Sequence, residues 1–156
     1  MGEYNTKNEI IKKQYEEYLE LDEGLSEQTI HSKLKDLRKY EEHTDFKCFS
    51  TFNKKQATAF KEQYKKACNP TGGIISASTV LRTFQNLKEF FDWLARQKGY
   101  KTKVAFDDLR VFNLTKKEEN VARQKPYKNA PSLGHVKEAI HAMPTGTELE
   151  KRNQAL

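Results

Sequence analysis

Apolar residues recur every three or four positions along most of the first hundred residues, and this spacing predicts a series of helices. The clearest case is the stretch from Ser76 to Tyr100, where six apolar residues share one side of a helix: Val80, Leu81, Phe84, Leu87, Phe91 and Leu94. Its other side carries polar residues: Arg82, Gln85, Asn86, Glu89 and Arg96. Ser76 or Ser78 can cap the start of this helix, and Gly99 can end it. One side is therefore suited to a core, and the other to solvent or a polyanion.

Weaker periodic patterns predict three helices before this one. A first helix begins at Thr6 and Glu9, which have the spacing of a capping box, and ends before Gly24. A second helix begins after Ser26, and a third begins after Asn53, since both side chains can cap a helix. Together with the helix after Ser76, these patterns predict two helical hairpins that bury their apolar sides against each other.

Composition and charge narrow the classes of function. Of the 156 residues, 36% are hydrophobic and 32% are charged, and nine Phe, seven Tyr and one Trp argue against a disordered chain. Residues 1–27 carry eight acids and three lysines, a net charge of −5, whereas residues 28–156 carry 25 basic and 14 acidic residues, a net charge of +11. The positive charge of residues 28–156 favours a polyanionic partner, of which nucleic acid is the first candidate. A lysine-rich surface that contacts only solvent is equally compatible with this charge.

Several other classes are disfavoured. No apolar run approaches the roughly 18 residues of a membrane span, and the N-terminus lacks a signal-peptide pattern, so we expect a soluble cytoplasmic chain without a membrane or small-molecule partner. Cys48 and Cys68 lack metal-ligand spacing and are expected to be buried, reduced thiols. Asp107 and Asp108 have no third acid, histidine or cysteine nearby, so we expect no metal and no cofactor.

The second and fourth helices open alike, with Ser26-Glu27-Gln28-Thr29-Ile30 and Ser76-Ala77-Ser78-Thr79-Val80. Together with Leu87-Lys88-Glu89-Phe90-Phe91-Asp92-Trp93-Leu94, this order resembles the core-binding domain of tyrosine recombinases, the phage integrases, over about residues 5–100. The resemblance implies an all-α, SAM-like bundle of four helices in two hairpins. It also implies that the domain clamps one side of double-stranded DNA, with the second and fourth helices against the major groove.

Polar and basic side chains on these two helices are the candidate DNA contacts. Lysines and arginines can displace counterions from phosphates, and the backbone N–H groups at a helix N-terminus can bind anions. The candidates are Ser26, Gln28, Thr29, Lys35 and Lys39 on the second helix and Ser78, Thr79, Arg82, Gln85 and Asn86 on the fourth. For each of them, an exposed polar residue without a ligand is the alternative interpretation.

The rest of the chain is expected to lead into a second domain. Residues 1–100 are predicted to form the DNA-binding domain, and residues 101–130 a charged linker in which residues 111–114 dock as a short extended piece. Residues 131–156 resemble the start of the integrase catalytic domain, with a helix that places Val136, Ala139 and Ile140 inward, and the chain stops before that domain is complete.

The resemblance also bears on catalysis. A tyrosine recombinase attacks a DNA phosphodiester with a tyrosine hydroxyl, and two arginines, a lysine, a histidine and a second histidine or tryptophan surround the phosphate and neutralise its developing charge. None of the four histidines here is followed by arginine three positions later, as the family's His-x-x-Arg motif requires. We therefore expect no catalytic residue and no DNA cleavage by this chain, and a parent protein that is a recombinase.

The alternative hypothesis is a helical protein-interaction module whose basic surface is incidental. Its candidate exposed aromatic residues are Phe90, Trp93, Phe106 and Phe112. Other recombinase protomers on DNA are a second expected partner, because helices of this domain touch neighbouring protomers in the family. Salt separates the hypotheses, since phosphate contacts weaken steeply with salt and an apolar protein interface does not.

Overall fold

The computed structural model describes residues 4–69, 72–124 and 133–142. The α-helices are α1 (Thr6–Leu21), α2 (Glu27–His43), α3 (Lys54–Lys65), α4 (Ala77–Arg96), α5 (Lys116–Arg123) and α6 (Leu133–His141), with 3-10 helices at Phe49–Thr51 and Phe106–Phe112. Within the described residues, the only β pairing is a single bridge between Cys68 and Ile74. The all-α fold class and the four helices predicted for the first hundred residues are confirmed.

Capping side chains fix the starts of α1, α3 and α4, but Ser26, which was predicted to cap α2, makes no side-chain hydrogen bond to the backbone of that helix. Asn53 and Ser76 cap α3 and α4 as predicted, each accepting a hydrogen bond from a backbone N–H of the first turn. The prediction for α1 was wrong by one residue, because Asn5 rather than Thr6 is the cap. The Asn5 side chain accepts from two backbone N–H groups at 3.0 and 3.4 Å, and its amide donates to the Phe46 carbonyl at 3.0 Å. This hydrogen bond to a distant loop favours Asn5 over Thr6 as the capping residue of α1.

Helix α4 runs through the centre of the core. The predicted apolar side is buried except at Leu81, which is half-buried. The buried side is wider than the sequence pattern indicates, because α1 packs on it as well: the rings of Tyr15 and Phe90 meet edge to face with centroids 5.1 Å apart. On the other side, the Phe91 ring lies 5.3 Å from Tyr40 of α2 and 4.2 Å from Phe52. Aromatic residues from three other segments therefore pack on α4.

A buried polar cluster joins the start of α1 to the end of α2. Asn8 donates from Nδ2 to Glu41 Oε1 and to the Lys47 carbonyl, both at 3.0 Å, and its Oδ1 accepts from the Phe49 N–H at 3.0 Å. The buried Glu41 carboxylate also accepts from Lys12 Nζ at 2.8 Å. Three hydrogen bonds from the two polar atoms of one asparagine side chain thus hold two helices and a loop together.

Residues 101–124 fold against α3 and α4. Val104, Leu109 and Phe112 are buried, and the Phe112 ring lies parallel to Phe91 with centroids 6.2 Å apart. The first compact unit is Met1–Gln124, so it extends beyond the boundary expected at residue 100. The docking of residues 111–114 was anticipated, but Val111 and Phe112 belong to a 3-10 helix rather than an extended piece. That residues 101–130 connect two domains stays a prediction.

Lysines of α3 secure this segment. Lys61 Nζ donates to the carbonyls of Val111 and Asn113 at 2.8 and 2.6 Å, and burial lowers the pKa of its amino group. Lys65 Nζ lies 2.5 Å from Glu118 Oε1 at the start of α5. Within the segment that was expected to be a charged linker, Glu118 therefore makes a specific contact with the helical core.

The second compact unit is Lys125–Leu156, and its described part contains α6. Val136 on α6 is 40% exposed, so its predicted inward position is not found. In the sequence, Pro131 precedes this helix and Pro144 follows it, as expected for a helix bounded by prolines, but both prolines lie outside the described residues. The prediction that both thiols are buried was also wrong, since Cys48 is half-buried and Cys68 is exposed at the turn before α4. None of the described helices is long and apolar enough to cross a membrane.

Candidate nucleic-acid interface

Helices α2 and α4 lie side by side and run in opposite directions. Lys33 of α2 pairs with Glu89 of α4, and one turn later Asp36 accepts hydrogen bonds from Asn86 at 2.8 Å and Thr83 at 3.0 Å. As the residue number rises along α2, it falls along α4. The N-terminus of α2 is therefore at one end of the shared surface and the N-terminus of α4 is at the other.

The two N-termini are separated by most of the length of this surface. Ser26 precedes Asp36 by ten residues, and Ser78 precedes Thr83 by five, so a rise of 1.5 Å per residue places the two serines about 20 Å apart along the helices. If α2 and α4 clamp DNA as the sequence analysis expects, one ligand contacts both N-termini. Such a ligand would have to be long enough to reach across the surface, which a duplex is.

A buried carboxylate organises the middle of this surface. Asp36 Oδ1 accepts from Lys39 Nζ at 2.7 Å and from the Thr83 hydroxyl, and Asp36 Oδ2 accepts from Asn86 Nδ2. Arg82 Nε lies 3.7 Å from the same Oδ2. Three of the ten candidate contacts, Lys39, Arg82 and Asn86, thus converge on one side chain that the sequence analysis did not single out. We call Asp36, Lys39, Thr83, Arg82 and Asn86 the Asp36 cluster.

Lys39 is the most restrained of the candidate residues. Besides Asp36, its Nζ donates to the Tyr64 hydroxyl at 3.1 Å, and that hydroxyl lies 3.2 Å from the Thr83 hydroxyl. Burial favours a lower pKa for Lys39, but the hydrogen bonds to Asp36 and Tyr64 outweigh it, so the pKa of the amino group is raised. Lys39 stays charged, and its charge faces a carboxylate.

Asn86 is held from two sides. Its amide donates to Asp36, and its Oδ1 accepts from Lys33 Nζ at 3.2 Å. The Lys33 side chain is mostly buried and also pairs with Glu89. This arrangement fixes the amide plane, with its oxygen toward the lysine and its nitrogen toward the carboxylate.

The other candidate residues are more accessible. Gln28, Lys35 and Gln85 are exposed, and Lys35 has no hydrogen bond or ion pair to another described residue. Arg82 is 56% exposed despite its proximity to Asp36. The surface formed by α2 and α4 therefore presents two accessible cations and two exposed amides, and we call these four residues the open set.

The starts of α2 and α4 share a close contact between a serine and a threonine hydroxyl, although only Ser76 also accepts a hydrogen bond from a backbone N–H. The Ser26 and Thr29 hydroxyls lie 2.9 Å apart, and the Ser76 and Thr79 hydroxyls are also 2.9 Å apart. Ser76 rather than Ser78 is the cap of α4, and Ser78 is exposed 3.1 Å from it, hydroxyl to hydroxyl. The two starts differ in charge, because the first turn of α2 contains an acid, Glu27, and that of α4 contains none. An anion is consequently better accommodated at α4.

Two of the four aromatic residues considered for a protein interface were assigned wrongly. Phe90 is 1% exposed and Phe112 is 2% exposed, because α1 covers the first and the second packs into the core. Phe106 is 52% exposed. Trp93 is half-buried beside Tyr15 and Tyr18 and lines a groove of about 1250 Å³ between α1 and α4.

The signal for Asp36 was present in the sequence but ambiguous. Asp36 and Lys39 have the i,i+3 spacing of a helical ion pair, which is usually an exposed feature. The burial of Asp36 depends on α4 approaching that side of α2, which the sequence of α2 alone does not indicate.

Within the described residues, no group of three or more His, Cys, Asp and Glu residues could hold a metal ion. The Asp107 carboxylate pairs with Arg110 at 3.4 Å.

Comparison with known families gives one match. A family model for the N-terminal SAM-like domain of phage integrase matches residues 13–98, which is more than half of the chain and includes all of α2, α3 and α4. No curated protein and no solved structure matches the chain significantly.

Proposed function

Because the chain belongs to the family of the phage integrase N-terminal SAM-like domain, we propose that it binds double-stranded DNA through the surface formed by α2 and α4. The family fits a parent protein of the tyrosine recombinase class, in which this domain would hold DNA for strand exchange. That residues 131–156 begin a catalytic domain, and that the chain does not cleave DNA, both stay predictions.

The observation that carries the proposal is the open set between two helix N-termini. The major groove of B-DNA is about 12 Å wide, so N-termini about 20 Å apart could reach the phosphates on either side of it. The exposed side chains between them would then lie over the groove. Lys35 and Arg82 are suited to phosphates, and Gln28 and Gln85 to base edges.

The ten candidate residues divide into two roles on this proposal. The open set and the hydroxyls at the helix starts, Ser26, Thr29, Ser78 and Thr79, would contact DNA. Lys39 and Asn86 would act from within the Asp36 cluster, because their polar atoms are already engaged. With few phosphate contacts, we expect dissociation constants of about 10⁻⁴ to 10⁻⁶ M and a marked dependence on salt.

A titration with duplex DNA tests the proposal. The chain would be mixed with a duplex of about 20 base pairs at low salt and at about 200 mM salt, and amide NMR shifts would be followed for each residue. We expect salt-sensitive shifts at the starts of α2 and α4 and along the open set. Shifts confined to α5, or no shifts at all, would refute the proposed interface.

A matched pair of variants sharpens this test. Lys35→Gln with Arg82→Gln removes two charges from the proposed interface, and Lys13→Gln with Lys54→Gln removes two charges from exposed positions on α1 and α3. Both double variants lower the net charge equally. We expect the first to weaken binding at least tenfold and the second to weaken it much less, since Coulomb attraction is screened over about 10 Å.

A second candidate function is a protein-interaction site in the groove beside Trp93. The groove is lined by aromatic residues and by carboxylates of α1 and α4, including Glu17 and Asp92. Neighbouring recombinase protomers are the expected partner there. Sedimentation of the chain at about 200 mM salt with and without duplex tests this function, because an apolar contact persists at salt concentrations that release DNA.

A further inference from the structure

The Asp36 cluster gives two lysines of α2 different surroundings, although the sequence gives no reason to distinguish them. Lys35 and Lys39 are one turn apart on the polar side of α2. Lys35 is exposed and has no ion pair among the described residues, whereas Lys39 Nζ lies 2.7 Å from a carboxylate that is buried. One charge is available to a ligand and the other is compensated inside the protein.

We propose that Asp36 is a positioning residue of the DNA interface, which withholds the charge of Lys39 from phosphates and fixes Arg82 and Asn86 at the binding surface. The inference rests on the proposed DNA-binding function. On this inference, Asp36 determines how many cations the interface offers to DNA phosphates. It therefore also determines how strongly DNA binding depends on salt.

The charge of Lys39 is withheld for two physical reasons. A cation and an anion 2.7 Å apart act on a phosphate outside the protein as a dipole, whose field falls off faster than that of a single charge. In addition, moving Lys39 to a phosphate would leave the buried Asp36 without its nearest cation, and an unpaired buried charge is strongly unfavourable. The Tyr64 hydroxyl restrains the same amino group from another side.

Arg82 is affected differently. Its Nε lies 3.7 Å from Asp36 Oδ2, which is an ion-pair distance without a hydrogen bond, and more than half of the side chain is exposed. An arginine has further donors on its two terminal nitrogens, which can bind a phosphate in a bidentate manner. Asp36 can therefore orient this guanidinium while leaving its charge accessible.

The salt dependence of DNA binding measures this arrangement. The intact chain and its variants would be titrated against a fluorescent duplex of about 20 base pairs between about 50 and about 200 mM salt, and log K plotted against log salt. Each phosphate neutralised contributes about 0.9 to the slope. We expect Lys35→Gln to reduce the slope by about 0.9 and Lys39→Gln to leave it unchanged, although both remove one positive charge from the same helix.

Asp36→Asn supplies the converse test. It removes the compensating charge at nearly constant shape, so Lys39 becomes available and the slope should rise by about 0.9, with binding several-fold tighter at low salt. Adding Lys39→Gln to Asp36→Asn should return the slope to that of the unaltered chain. A purely structural role for Asp36 would weaken binding or leave it unchanged and could not produce this gain.

The outcomes are distinguishable. Equal loss of slope in Lys35→Gln and Lys39→Gln would overturn the inference while leaving the proposed function intact. An unaltered chain without salt-dependent DNA binding would refute the proposed function, and the inference with it. Circular dichroism would show whether each variant is folded. If Asp36→Asn does not fold, the comparison of the two lysine variants alone confirms or overturns the inference.

Discussion

Buried polar side chains hold this fold together at the scale of single residues. Asn8 joins α1, the end of α2 and the following loop, and Asp36 joins α2 to α4. Each has all of its hydrogen-bonding atoms in use, which is the condition under which a buried polar group is tolerated. A substitution at either position therefore leaves several partners unsatisfied at once.

For Asn8→Ala, we expect a loss of about 3 kcal/mol in the free energy of unfolding. The substitution leaves the Phe49 N–H and the Lys47 carbonyl without their partner and removes a donor from the buried Glu41. Urea denaturation followed by tryptophan fluorescence measures the change.

The matched control is Gln14→Ala, an exposed amide on the same helix. It should change the free energy of unfolding by less than about 0.5 kcal/mol. A similar loss in both variants would mean that α1 tolerates no substitution, and would remove the special role assigned to Asn8.

At the scale of elements, α5 shows how a charged segment becomes a specific structure. Thr115 and Glu118 form a reciprocal capping box, and Glu118 also pairs with Lys65 of α3. The hydrogen bonds from Lys65 and Thr115 lower the pKa of the Glu118 carboxyl to about 2, below its usual value of 4.5. One glutamate both starts the helix and ties it to the core.

This pKa shift predicts a pH dependence. A carboxylate whose pKa is lower in the folded state contributes stability above pH 4.5 and loses that contribution as the pH falls toward about 2. Glu118→Gln should therefore lower the melting temperature by about 3 °C at neutral pH, a modest change because the side chain is 37% exposed. The difference between the two proteins should shrink as the pH falls from 5 to 3, roughly through the range of the two pKa values. A constant difference over this range would contradict the role of the charged form.

The 3-10 helix before α5 offers a second prediction at this scale. Phe112→Ala removes a ring that stacks on Phe91 in the core, and we expect a loss of about 3 to 5 kcal/mol with faster proteolysis of residues 101–124. Phe106→Ala on the same helix is the control, because Phe106 is exposed and its loss should change stability by less than about 0.5 kcal/mol. Chemical denaturation and limited trypsin digestion measure the two effects, and equal stability of the two variants would contradict the docking.

At the scale of the whole molecule, the first compact unit defines the smallest piece that should fold. A chain ending at Gln124 keeps the core intact, whereas one ending at Tyr100 loses Val104, Leu109 and Phe112. Three buried apolar side chains are worth about 6 kcal/mol together, which is comparable to the whole stability of many domains. We expect cooperative thermal unfolding for residues 1–124 and none for residues 1–100, measured by circular dichroism. Cooperative unfolding of the shorter piece would contradict this boundary.

The sequence by itself determined α1 to α4, the buried side of α4 and the family, whereas α5 and the 3-10 helix Phe106–Phe112 were not predicted. The predicted features are local properties, since apolar spacing and capping residues act within one segment of the chain. The paired openings of α2 and α4 are also visible in the sequence alone, and they directed attention to the surface on which the proposed interface lies. The family match over residues 13–98 agrees with that assignment.

Only the tertiary structure decided what lies against the second side of each helix. Phe90 is buried because α1 covers it, and Asp36 because α4 covers it, and neither neighbour can be identified from the helix that carries the residue. The docking of residues 101–124 likewise depends on a place for Phe112 among rings from distant segments. Burial is a property of packed surfaces, so a single periodic pattern predicts one buried side and leaves the other undetermined.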